Sequence, residues 1–132
     1  MKITADTNVL VRGIVADDEM QSQLAIATLE SADLVAISLQ SLCEFAWVLA
    51  RFYQIPRADI AEAIRRLVET RNVIVNRPAV ASGLNVFEAG GDFADGVIAY
   101  DGQWLGGETF VSFDKKVVSL IDKQGRQAKL LT

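Results

Sequence analysis

Asp92 and Asp95 stand three residues apart in Gly91-Asp92-Phe93-Ala94-Asp95-Gly96-Val97-Ile98-Ala99, just past a Gly-Gly break and at the mouth of an apolar run. Residues three apart share one helix face, so both carboxylates would point the same way. Asp92 reads as an N-cap and Asp95 as a first-turn acid, where the helix dipole favours negative charge. Three more acids occupy comparable places: Asp6 after the apolar start, Glu44 early in an apolar helix, and Asp114 after Phe110-Val111-Ser112-Phe113. Each has a local explanation. Asp6 and Asp114 can be N-caps, and Ser41-Leu42-Cys43-Glu44 fits the Ser-x-x-Glu capping box, although Ser38 is the better-placed cap.

Taken together, the acids suggest more than capping. The chain has no histidine, which removes Ser-His-Asp and Cys-His pairs, His-ligated zinc and imidazole acid–base chemistry. Catalysis must then run on carboxylates, hydroxyls, lysine or a bound ion. Several carboxylates gathered at one place repel strongly at low dielectric, and a cation among them removes the repulsion. Ligation by oxygen alone selects Mg²⁺, or Mn²⁺, over zinc. The charge count agrees: of 17 acidic residues against 13 basic, setting aside Asp6, Glu44, Asp95 and Asp114 leaves 13 of each, so these four match the net charge of −4. Such an ion can activate a water and steady charge on a phosphodiester, which permits hydrolysis without histidine.

The elements that must position these acids alternate. Residues 2–5 read as a strand ending at Asp6, followed by a short helix. A helix over 19–32 is expected to turn Met20, Leu24, Ala27 and Leu29 inward, and 34–37 is a second strand. A helix from Ser38 to about Tyr53 buries Leu39, Leu42, Phe45, Ala46 and Leu49. Trp47 and Val48 lie on its other side, so it is apolar nearly all round and suits deep burial or a partner. After Ile55-Pro56, a helix over 57–70 carries Ile60, Ile64, Leu67 and Val68. Strand 73–75 precedes a helix from Pro78 through Val80, Leu84 and Phe87 to Gly90-Gly91. The helix opened by Asp92 runs to about Leu105. A strand over 109–113, a helix over 115–121 and a strand near 128–131 finish the chain. This alternation predicts an α/β fold with a central parallel β-sheet flanked by helices on both faces, whose ligands bind at the carboxyl ends of the strands.

At 132 residues the chain is expected to be one domain, 1–132, and 51% apolar residues with 23% charged argue against disorder. One cysteine, Cys43, forms no internal disulfide and reads as a small buried apolar residue, which suits a cytoplasmic protein. No apolar stretch approaches the ~20 residues of a membrane span, and the N-terminus lacks a signal-peptide core. A soluble protein without membrane contact is expected. The basic residues form no run; Arg12 and Lys115, with Arg51 and Lys116, are candidates to guide nucleic-acid phosphates or are simply solvated. Trp47 and Phe52 are expected in the core or an interface, and Trp104 in packing at a helix end.

Ala5-Asp6-Thr7-Asn8-Val9-Leu10, Glu44 in its apolar helix, Asp92-Phe93-Ala94-Asp95-Gly96-Val97-Ile98-Ala99 and Phe110-Val111-Ser112-Phe113-Asp114-Lys115 together resemble, in order, the signatures of PIN-domain proteins. The resemblance is nearest to VapC-type toxins of toxin–antitoxin pairs and covers nearly the whole chain. It implies a PIN-like fold and a Mg²⁺-dependent endoribonuclease, cleaving single-stranded or loop RNA, usually a homodimer and neutralised by a small cognate antitoxin. It carries the acidic quartet onto Asp6, Glu44, Asp95 and Asp114 as catalytic and metal-holding residues, with Asp92 an additional acid whose role stays open. Thr7, Asn8 and Ser112 match polar positions that orient ligands or water. Gly96, Tyr100 and Gly102 depart from a helix often richer in alanine. The alternative is a receiver-like Mg²⁺-binding signalling module. That reading wants paired acids at the first strand and an acceptor Asp after the third, where this chain has Asp6 alone and Asn76.

Overall fold

A computed structural model describes residues 1–132. Five short strands alternate with seven helices: β1 (Lys2–Thr4), α1 (Thr7–Arg12), α2 (Glu19–Ser31), β2 (Leu34–Ala36), α3 (Leu39–Arg51), α4 (Arg57–Glu69), β3 (Val73–Ile74), α5 (Arg77–Glu88), α6 (Phe93–Trp104), β4 (Thr109–Ser112), α7 (Lys115–Lys123) and β5 (Gln127–Leu130). Every strand pairing is parallel, as the alternation predicts. The strands form two sheets, β1-β2-β3 and β4-β5, where one was expected. With two to four residues per strand, each ladder holds only a few hydrogen bonds, and most of the buried surface belongs to helices. The chain divides into two compact units, Met1–Asn76 and Arg77–Thr132.

In the first unit β1 pairs with β2 in the register Ile3↔Val35, and β2 with β3 through Val35↔Val73. The core is built from helix stripes at three- and four-residue spacing: Leu42, Phe45, Ala46 and Leu49 on α3, Ile60, Ala61 and Ile64 on α4, and Leu10 and Val11 on α1. Each large side chain contributes roughly 1.5–3 kcal/mol by leaving water. Ser38 caps α3, accepting the Ser41 N–H at 3.1 Å, so Ser41 is not the cap.

Helix α2 buries a different stripe from the expected one. Ser22 and Ala25 face inward, while Met20 and Leu24 are exposed. Inside, the Ser22 hydroxyl is satisfied by donating to the Val15 carbonyl at 3.0 Å. Trp47 and Phe52 are also outside the core. They meet edge to face at 5.7 Å, 50% and 72% exposed, with the Arg51 guanidinium 6.0 Å from the Trp47 ring. Cys43 is half-buried rather than buried.

In the second unit α5 lies against α6, and Val86, Ala99, Val117 and Ile121 form a core covered by Phe110, Leu120 and Ala128. Gly96 is a point of close approach between the two helices. A Cβ there would run into the Ser82 carbonyl and come within 2.7 Å of Gly83 Cα. The glycine that looked like a weak helix residue is thus a packing requirement. Gly90, with φ 99°, turns the chain between α5 and α6, a conformation that glycine adopts without strain. Trp104 does not pack into this core; it is 76% exposed and touches the Tyr100 ring edge at 6.5 Å.

Candidate active site

The first unit holds Asp6 and Glu44. Asp6 ends the β1 segment and caps α1, its Oδ1 accepting the Thr7 N–H at 2.8 Å. Thr7 is buried, and its Oγ1 donates to Glu44 Oε2 at 3.1 Å. One threonine therefore serves both acids: its backbone holds Asp6 and its hydroxyl holds Glu44. Asn8, the next residue, is exposed and lines a groove of about 550 Å³ with Val9, Arg12, Gln21 and Leu24.

Arg12 lies in that groove but is already engaged. Its guanidinium pairs with Asp17, and donates to Gln21 Oε1 at 2.9 Å and the Tyr53 hydroxyl at 3.2 Å. The Tyr53 hydroxyl in turn donates to Asp17 at 3.0 Å. That bond, with the Arg12 charge, holds the Asp17 carboxyl below its ordinary value. The network anchors the α1–α2 loop to the end of α3, and Arg12, a residue expected to guide a phosphate, is part of it. Nothing in the spacing of Arg12, Asp17 and Tyr53 announced it.

The second unit holds Asp92, Asp95 and Asp114. Asp92 caps α6, its Oδ1 accepting the Ala94 N–H at 3.3 Å. Asp114 caps α7, its Oδ1 accepting from Lys116 and Val117 at 2.9 and 3.4 Å, while its own N–H donates to Ser112 Oγ at 3.0 Å. Ser112 thus fixes the backbone that carries Asp114. Lys115 follows in an exposed position. Asp95 caps nothing. Burial first, then the like charges of Asp92 and Asp114, push its carboxyl above the ordinary range, and no lysine or arginine is among the groups acting on it.

Capping and cation binding are compatible in these acids. Each capping carboxylate commits one oxygen to its helix, Oδ1 in Asp6, Asp92 and Asp114, and keeps Oδ2. Neither unit on its own gathers three ligating side chains closely enough to enclose an ion. The fit to a divalent cation comes from the chemistry of the donors. They are hard oxygens, and in the second unit a half-buried acid is repelled by two others with no positive charge to offset them.

Sequence reasoning missed Ser82 and Arg126. Ser82 is buried in α5, donates to the Gly96 carbonyl at 2.7 Å and accepts from Arg126 Nη1 at 2.9 Å. The available signal was a polar residue on the apolar stripe of α5, beside Gly83.

Parallel strands alternating with helices define an α/β domain, and in a chain without histidine the acids at its helix starts are the candidate ligating groups. The sequence profile of the PIN domain matches residues 3–122, and the chain belongs to that family. PIN domains are generally metal-dependent nucleases and typically use divalent ions. No curated protein matches the chain closely enough to count as a relative. No helix is long and apolar enough to cross a membrane.

Proposed function

We propose that this protein is a Mg²⁺-dependent endoribonuclease of the VapC type, a toxin that cleaves single-stranded or loop RNA and is neutralised by a small cognate antitoxin. The observation that carries the reading is Asp95: a half-buried carboxylate, free of capping duty, set among like charges in a family of metal-dependent nucleases. A receiver-like module has no comparable support.

Asp6, Glu44, Asp95 and Asp114 are the residues that would hold the ion, with Asp92 an additional acid beside Asp95. When bound, a hard divalent cation lowers the pKa of a water and offsets charge building on the phosphodiester. The chain's own groups do the rest. Thr7 Oγ1 holds Glu44 Oε2 and leaves Oε1 to orient a water and take its proton. Ser112 keeps Asp114 in place through its backbone N–H. Lys115, exposed directly after Asp114, is the residue proposed to meet a substrate phosphate. Mn²⁺ suits the same donors. A homodimer in the cytoplasm remains part of the proposal, and the exposed Trp47–Phe52 pair supports a protein-contacting role for α3.

Induced expression of the protein should arrest growth, and the purified protein should cut unstructured RNA in Mg²⁺. Asp6→Asn and Asp95→Asn should fold, lose cleavage by at least ~100-fold, and be harmless to the cell. Undiminished cleavage by either variant would remove that residue from the site.

A further inference from the structure

Ser82 is the only buried polar side chain of the second unit, at 4% exposure. A serine inside a helix usually satisfies its hydroxyl on the carbonyl of the preceding turn of its own helix. This one donates instead across to α6, to the Gly96 carbonyl at 2.7 Å. Gly96 directly follows Asp95 in the chain. The carbonyl of a helical residue already accepts the N–H four residues on, and its second lone pair takes the hydroxyl.

Two glycines make that reach available. A Cβ on Gly96 would collide with the Ser82 carbonyl, and one on Gly83 would lie 2.7 Å from the Phe93 ring. Arg126, just before β5, fixes the direction of the hydroxyl. Its Nη1 donates to Ser82 Oγ at 2.9 Å, so the serine proton is directed to Gly96. A cationic donor makes this bond stronger than one between neutral groups. The chain Arg126–Ser82–Gly96 therefore clamps the first turn of α6 onto α5, next to the acid that Asp92 and Asp114 repel.

We propose that Ser82 and Arg126 are positioning residues for Asp95, holding in place the backbone that carries it before a cation arrives. This rests on the reading of Asp95 as a cation-holding acid. Groups that orient a metal ligand without touching the metal are commonly worth 10–100-fold in affinity, and clamping a backbone belongs at the lower end.

The test is calorimetric titration of the full-length, cation-free protein with Mn²⁺ alone, each variant first shown to be folded by circular dichroism. Ser82→Ala and Arg126→Met should weaken Mn²⁺ binding by about 10-fold, while Arg126→Lys, which keeps a cationic donor, should recover most of it. Asp95→Asn is the reference for the site itself. If Asp95→Asn weakens Mn²⁺ binding and Ser82→Ala and Arg126→Met do not, the positioning role is overturned and the site stands. If Asp95→Asn binds Mn²⁺ like the natural protein, the assignment of Asp95 falls and the positioning role with it. Should Ser82→Ala fail to fold, the Arg126→Met and Arg126→Lys pair decides.

Discussion

Asp95 differs from the other acids in what its local structure asks of it. Asp6, Asp92 and Asp114 each stabilise a helix start through Oδ1, so replacing them costs a cap as well as a charge. Asp95 has only the unfavourable side: burial and two like charges raise its carboxyl above the ordinary value of 3.8. A carboxyl raised on folding costs nothing while protonated, and its penalty grows as pH climbs from the unfolded pKa through the raised native one. Above that window the penalty is complete. Asp95→Asn should therefore melt higher than the natural protein at pH 7. The gap should close toward acid pH in scanning calorimetry, and a variant that melts lower at pH 7 would contradict the electrostatics.

Asp17 shows the opposite sign. Its carboxyl is depressed by the Tyr53 hydroxyl, with help from Arg12, so its contribution is present above the unfolded pKa of 3.8 and is lost as pH falls through the native one. Tyr53→Phe removes the main cause, so it should lower stability at pH 7 and move the midpoint of acid unfolding upward, the difference fading as pH falls through the native pKa. Fluorescence-monitored acid titration of the two proteins checks it; coincident curves would remove the network from the stability account. The caps Asp6, Asp92 and Asp114 and the first-turn Asp95 were legible in the sequence because carboxylates at helix starts are read by position. The Arg12–Asp17–Tyr53 network was not, because its partners come from α1, a loop and the end of α3, and no local pattern links them.

At the scale of elements, the α5–α6 pair depends on two glycines and a serine. Gly96→Ala places a methyl against the Ser82 carbonyl, so the helices must separate or α6 must shift. A cost of about 2–3 kcal/mol is expected in urea unfolding, more than the helix-propensity gain of nearly 1 kcal/mol that alanine brings. A stabilised variant would show that the approach is not tight. Most helices and strands were readable from period and punctuation, and Ser38, Pro78 and Gly90 mark the boundaries expected of them. The face of α2 was not readable. Hydrophobicity favoured Met20 and Leu24, whereas the structure buries Ser22 and Ala25. Gly96 was misread for a related reason: a sequence shows the propensity of a glycine but not the neighbour that requires it.

Across the whole molecule, 17 acidic residues face 13 basic ones, and phosphate is not drawn to such a balance without help. The parallel α/β class was legible in the alternation of elements, while the partition of five strands into two sheets was not. Register and pairing partners depend on packing, which no strand of two to four residues encodes by itself. Family membership shows a PIN domain, a family of generally metal-dependent nucleases, and the chain has no histidine. The most direct measurement is single-turnover cleavage of a fluorescent single-stranded RNA by the natural protein and by Asp95→Asn, each in Mg²⁺ and in chelator. The natural protein in Mg²⁺ should cleave, and the other three combinations should be slower by at least ~100-fold. Cleavage that survives the chelator, or that Asp95→Asn retains in full, would contradict the account.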